Sequence, residues 1–293
     1  VDIILALQRL ASPALDRVML LVTDLGSQEA YTVLLVFAYL AVDAAFGRRL
    51  GIVFLAGAFI NELIKGAVQE PRPFEVNPAV ARTSAALETA PGSSFPSGHA
   101  QQAALFWGLA AVHFRRAWFW VLAAVVVALV SVSRVYLGVH YPADVLAGLG
   151  LGVAVLLASL LLRRLAFEPG KAVIVVLGLA LPLALHLFIN TPNSHVYLAA
   201  LSAFAVGPEI VTHRASGDVV TRLLMGVLGV VLVGAVMGLT SAVMPEELKR
   251  ALLPSYLRYL VIGLTGTLLA PLACRALRLS GGPAVAAGSA RRY

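Results

Sequence analysis

Three polar stretches interrupt an otherwise very apolar sequence, and each carries residues able to handle an oxyanion. They are NELIKGAVQEPRPF, SSFPSGHA and SRVYLGVHYPAD. In the first, Arg72 follows Lys65 by seven residues. Seven residues are two helical turns, so both cations share one face if the helix persists, although Pro71 and Pro73 end it. A lysine inside an apolar run is costly and points to function. An ion pair with Glu62, three residues earlier, is the structural alternative. In the second stretch Ser97 can cap a helix and Gly98 lets the backbone approach a ligand closely. Free amides at a helix start, with the positive end of its dipole, form an anion site. His99 sits in that first turn and points at whatever binds there; a capped helix with an interfacial histidine is the plainer reading. In the third, Arg134 ends one apolar run and Pro142 suits the first turn of the next. Asp144, four residues beyond His140, can reach back to one ring nitrogen. That fixes the tautomer and leaves the other nitrogen as a nucleophile. An ordinary helix start with an acidic first turn would use the same residues.

Taken together, these stretches hold three cations, two histidines, an orienting carboxylate and a helix N-terminus. Phosphoryl transfer needs that set: positive charge around the equatorial oxygens, an in-line nucleophile, and an acid for the leaving oxygen.

The elements that must position them are membrane helices. Of 293 residues, 60% are hydrophobic and only 13% charged, against about 25% charged in a soluble domain. The apolar blocks run close to the ~20 residues a bilayer asks of a helix. The fold class expected is all-α: a polytopic transmembrane helix bundle with an N-terminal interfacial amphipathic helix. Residues 1–22 have the amphipathic spacing, with Ile3, Ile4, Leu7, Leu10, Leu15, Val18 and Met19 recurring and Asp2, Arg9, Asp16 and Arg17 between them. Spans are expected near 29–47, 50–68, 98–113, 117–137, 142–163, 171–190, 195–212, 220–243 and 255–275. The organisation is thus an interfacial helix at 1–24, a core carrying the three motifs at 25–168, accessory spans at 169–279 and a disordered tail at 280–293.

Every second connector is basic: Arg48 and Arg49, Arg115 and Arg116, Arg163, Arg164 and Lys171, then His213, Arg214 and Arg222. These are expected to face the cytoplasm, which puts all three motifs on the outer side. Topology therefore accounts for most of the net charge of +7, and nucleic acid is not an expected partner. Cys274 is the single cysteine, so no intrachain disulfide forms. Arg9, Asp16 and Arg17 argue against a cleavable signal peptide in the first segment. GLGLG at 148–152 lies inside a span, where glycines allow close helix packing rather than nucleotide binding.

The pattern Lys65–Arg72–Pro73, Pro96–Ser97–Gly98–His99 and Ser133–Arg134–His140–Asp144 resembles the type 2 phosphatidic acid phosphatase superfamily at every position, over about residues 29–163. The resemblance implies that His140 attacks phosphorus to form a phosphohistidine, oriented by Asp144. It implies that His99 protonates the leaving alkoxide, and that Lys65, Arg72 and Arg134 hold the phosphate oxygens with Ser97 and the Gly98 amide. It also implies no divalent metal and no cofactor, and no carboxylate cluster suited to magnesium stands near the motifs. TDLGSQEAY and SGHAQ further resemble a bacterial subgroup with extra C-terminal spans.

The function expected is a metal-independent lipid phosphate phosphatase of a bacterial cytoplasmic membrane, its site facing the periplasm, acting on a phosphatidic acid or phosphatidylglycerophosphate type of substrate. An undecaprenyl diphosphate phosphatase is the alternative enzyme, and a lipid transporter or scramblase with a retained site is the alternative of another class. The last four spans contain none of the motifs. An accessory structural role is expected of them; a lipid groove, a homodimer contact or a transport activity are the other roles open. His186 is expected to be an interior hydrogen-bonding histidine, His195 an exposed loop histidine, and Glu209 a structural partner of Arg214 or Arg222. Tyr136 and Tyr141 flank the third motif and could touch substrate, but tyrosine is common at a membrane interface and neither is assigned to the site.

Overall fold

Ser12, Ser27, Asp43, Ser97 and Asp218 each start a helix by accepting from a first-turn amide with their side chains. In the computed structural model, which describes residues 1–165, 169–189 and 191–280, Ser12 caps α2 (Pro13–Asp24) and Ser27 caps α3 (Gln28–Phe37), which runs on as a π-helical turn to Val42. Asp43 caps α4 (Ala44–Val68) by accepting from the Phe46 amide at 2.6 Å. Ahead of α2 lies α1 (Asp2–Gln8). Two short helices, α5 (Pro73–Val76) and α6 (Ser84–Glu88), occupy the loop after α4. Then come α7 (Gly98–Phe114), α8 (Ala117–Tyr136) and α9 (Pro142–Arg164), followed by α10 (Lys171–Phe188), α11 (Ser194–Ile210) and α12 (Val219–Val243). A short α13 (Glu246–Arg250) leads into α14 (Leu252–Leu264), which continues through a π-helical turn into α15 (Ala270–Ala276). No strand occurs among the described residues.

Each of the nine expected spans overlaps a helix, but the first, drawn to 47, breaks at Asp43, and α4 starts there and takes in Arg48 and Arg49. Among the described residues six stretches are long and apolar enough to cross a bilayer, and α2 with α3 makes a seventh if that pair, bent by 46°, counts as one. The other two, α7 and α11, have 17 residues each, which is the lower end of what crosses a hydrocarbon core. The single helix expected over 1–22 is two, α1 and α2, because Ser12 and Pro13 start a new helix there. Nor is their apolar face left to lipid alone: Leu7, Leu15, Met19 and Leu20 pack on a cluster of Tyr136, Leu137, Val139, Ala86 and Ala90. The tail expected at 280–293 lies outside the described residues, apart from Ser280.

Contacts define two ends of the bundle. At one end Glu62 of α4 accepts from Asn193 ahead of α11, His186 of α10 bonds Ser194 and Leu252, and Arg258 of α14 reaches Thr240 of α12. At the other, Arg48 pairs with Glu209 at 2.7 Å, His213 bonds the Leu40 carbonyl, and Arg275 bonds the Thr212 carbonyl. Glu209 therefore pairs with Arg48 rather than with Arg214 or Arg222. His186 is the interior histidine expected, whereas His195 is not a loop residue: it lies in the first turn of α11, half-buried, 5.2 Å from the Tyr259 ring.

The glycines of α9 bring it against α7. A Cβ on Gly148 would stand 2.4 Å from the Ser97 carbonyl oxygen and one on Gly152 2.6 Å from that of Gln101, so only glycine permits this approach. One hydrophobic core crosses the boundary drawn at 168: Leu35, Leu50, Phe54, Leu105 and Phe106 share it with Phe204, Met225, Ile262 and Cys274.

Candidate active site

The three motifs meet at the first of the two ends. The helix expected to place Lys65 and Arg72 on one face stops at Val68, because Gln69 turns left-handed at φ 51. The two cations meet by a different route. Arg72 precedes α5 in extended conformation, and the loop 91–94 folds back between them. Arg72 donates to the carbonyls of Pro91, Gly92, Ser93 and Val139, and its own amide donates to Glu75. Lys65 Nζ donates to the same Ser93 carbonyl and, at 3.4 Å, to that of Ser94. The Lys65–Glu62 ion pair is not formed, since Glu62 is engaged by Asn193.

His140 is 1% exposed. Its Nδ1 lies 3.3 Å from Asp144 Oδ2, and its Nε2 lies 3.1 Å from Arg72 Nη1. A guanidinium only donates, so Nε2 presents its lone pair and Nδ1 carries the proton toward Asp144. The carboxylate is itself held: Oδ2 accepts from Ser94 Oγ at 2.6 Å and from the Tyr141 amide at 2.8 Å. Burial, then the positive charges of Arg72, Arg134 and Lys65, keep the His140 imidazole well below the ordinary histidine range. It is therefore neutral near pH 7, the form a nucleophile needs.

Arg134 is fully buried. Its Nη1 donates to the hydroxyls of Thr23 and Thr89 at 2.6 and 2.8 Å, and Nη2 to the Thr89 carbonyl. Its Nε has no partner among the described residues. A buried, unpaired guanidinium N–H is expensive, and an anion in the site would satisfy it. Ser97 caps α7 as expected, its Oγ accepting from the Ala100 amide. The amides of Gly98 and His99, in the first turn, are left without an intrahelical acceptor. The His99 ring packs against Gly26, where a Cβ would stand 3.0 Å from its Cδ2, and it feels the charges of Arg134, Arg72 and Lys65. All eight residues singled out in the sequence, Lys65, Arg72, Ser97, Gly98, His99, Arg134, His140 and Asp144, thus lie at this one end of the bundle.

Four further residues complete the site. Ser94 and Thr89 come from the loop, Thr23 and Gly26 from the end of α2. Ser94 is the first residue of the SFPSGH stretch, yet its partner is 50 residues on, so no local spacing marks it. Tyr136 is not within reach of a substrate: its hydroxyl is buried against Asp16, which also pairs with Arg82. Tyr141 contributes its amide to Asp144.

The chain is similar to known membrane phosphatases. Residues 46–168 match the PAP2 superfamily, and residues 195–282 match the PAP2 superfamily phosphatase transmembrane extension. An undecaprenyl-diphosphatase of Sulfolobus acidocaldarius is 40% identical over 111 residues, 36% of this chain and 50% of that one. Phosphatidylglycerophosphatase B of Bacillus subtilis is 30% identical over 156 residues, 48% of this chain and 71% of that one. The chain thus spans half the length of the archaeal relative and about seven-tenths of the bacillar one. The crystal structure of a transmembrane PAP2 type phosphatidylglycerolphosphate phosphatase from Bacillus subtilis, 26% identical, covers 57% of this chain and 85% of its own, with a TM-score of 0.47.

Proposed function

The chain belongs to the PAP2 superfamily, and from that premise we propose that it is a metal-independent phosphatase of a phosphorylated membrane lipid, working through a phosphohistidine on His140. The observation that carries this reading is the pairing of His140 Nδ1 with a buried carboxylate while Nε2 faces the cations. In the reaction, Nε2 attacks phosphorus as the bond from phosphorus to the lipid oxygen breaks, and His99, which takes up a proton when the anionic phosphate enters beside it, gives that proton to the oxygen. Arg72 exchanges its contact with Nε2 for a phosphate oxygen. Arg134 Nε, Lys65, and the Ser97 and Gly98 helix start hold the others, where charge builds in the transition state. Water then attacks the phosphohistidine, His99 takes its proton, and phosphate leaves with His140 neutral again.

The substrate is a single-phosphate lipid of the phosphatidic acid or phosphatidylglycerophosphate type. A second reading is an undecaprenyl diphosphate, which presents the same kind of terminal phosphate: one relative is named undecaprenyl-diphosphatase, while the other, named phosphatidylglycerophosphatase B, favours the first reading. Orientation follows charge: Arg48, Arg49, Arg115, Arg116, Arg163 and Arg164 lie at the end opposite the site. That end faces the cytoplasm of a bacterial inner membrane and the site faces the periplasm. Phosphate release in EDTA, over phosphatidic acid, phosphatidylglycerophosphate and undecaprenyl diphosphate, tests the reading. Release by wild type and none by His140→Ala supports it. Silence over the whole panel favours a transporter or scramblase that keeps the site.

A further inference from the structure

A cleft lies between the phosphatase core on one side and the transmembrane extension on the other; no residue of the active site lines it, but its nearest lining residue on α7, Gln102, is three residues from His99. On the core side, α3 and its π-helical turn line it from Gln28 to Tyr39. Eleven residues of helix give a length of about 16 Å. On the other side are residues of α11, α12 and α14, among them Ala200, Met237 and Ile262.

Several independent features set its head at the site. Gln102, which lines it, is one turn below His99 on α7, about 5 Å along the axis. Gln28, also lining it, is two residues from Gly26, against which the His99 ring packs. The polar residues Gln28, Thr32 and Gln102 fall at this end, while Leu35, Val36, Phe204 and Val233 line the remainder. On the other wall, α11 and α14 start at the site end and α12 finishes there: Val196, Tyr197 and Ala200 of α11 and Met237 of α12 lie toward that end, while Phe204 and the α14 residues Ile262 and Gly263 line the deeper part. Met237, 43% exposed, marks the mouth on α12.

We propose that this cleft seats the proximal part of the hydrocarbon chain of the lipid whose phosphate occupies the site, so that the extension selects the chain. The inference rests on the lipid phosphate reading above and deepens it. A polar head three residues below His99, opening onto an apolar slot, matches one amphiphile, its phosphate in the site and its chain alongside α3. The extension is then part of the substrate site rather than a support for it.

Two fillers test this. Ala200→Phe blocks the slot within, and Met237→Trp narrows its mouth at an exposed position that burdens folding little. The measured quantity is kcat/KM for dipalmitoyl phosphatidic acid divided by kcat/KM for p-nitrophenyl phosphate, in detergent. The ratio is expected to fall at least tenfold in each variant. A ratio equal to wild type in both variants overturns the proposal. Wild type inert toward both substrates sinks the phosphatase reading instead, and the cleft is then decided by photolabelling. A long-chain phosphatidic acid with a diazirine near the head group should label peptides of α11, α12 or α14, and unlabelled phosphatidic acid should displace it. Label elsewhere, or label that resists competition as a permanent bilayer lipid would, overturns it.

Discussion

Arg72 Nη1 stands 3.1 Å from His140 Nε2, on the one ring nitrogen that Asp144 leaves free. On the proposed mechanism, the nucleophile is thus kept neutral and covered by the cation that would hold the phosphate. Arg72 also binds four backbone carbonyls of the loop and the helix junction, a planar fork that lysine cannot reproduce. Arg72→Lys is expected to lower kcat/KM for phosphate release by about 10²-fold or more, in line with loss of one charge-stabilising donor set. It should also open the loop 77–95 to limited proteolysis. A variant with full activity and an intact loop would contradict this placement.

Ser94→Ala removes the 2.6 Å hydrogen bond to Asp144. A hydrogen bond to a charged group contributes about 1.5–3 kcal/mol, or about 10- to 100-fold at 1.4 kcal/mol per decade. The loss is expected in kcat, with KM little changed, because Ser94 acts through the carboxylate. An increase in KM alone would show that Ser94 instead contacts substrate.

That residue also shows where the sequence stops being legible. The helices, the motif residues and their gathering at one end follow from apolar period, caps and spacing. Ser94, Thr89 and Thr23 do not, because each acts by a side chain that a folded loop or the end of α2 carries to a distant partner. The meeting of Lys65 and Arg72 was foreseen for the wrong reason: periodicity suggested a common helix face, and Gln69 ends the helix first. The split of the N-terminal helix was readable in Ser12 and Pro13, but the long amphipathic pattern overrode it.

His99→Ala is expected to spare good leaving groups. Nitrophenolate leaves without a proton and an alkoxide does not, so alkyl phosphates should lose about 10²-fold or more while p-nitrophenyl phosphate loses far less. Gly26→Val, which drives a side chain into the ring, should show the same signature in weaker form. Equal losses on both substrates would remove His99 from the acid role.

The His140 proton should leave at low pH. Burial and three cations lower its pKa from the ordinary ~6.5, so the neutral base persists as pH falls through 6.5 and is lost only well below it. Imidazole 15N chemical shifts of the resting enzyme should show a neutral Nδ1–H ring at pH 6. Titration of this ring near 6.5 would contradict the cation-lined site.

Excess EDTA is expected to leave turnover within about twofold, since guanidinium and ammonium groups supply the charge that a metal gives elsewhere. Among the described residues no group of three or more His, Cys, Asp and Glu side chains is placed to share an ion. Activity abolished by EDTA and restored by magnesium would overturn this.

The most direct measurement is a rapid quench of wild type with lipid phosphate carrying 32P, followed by peptide mapping. The expected result is an acid-labile, alkali-stable label on Nε2 of His140, absent from His140→Ala, which also releases no phosphate. Label on another residue, or steady release by His140→Ala, would contradict the assignment of His140 as the nucleophile.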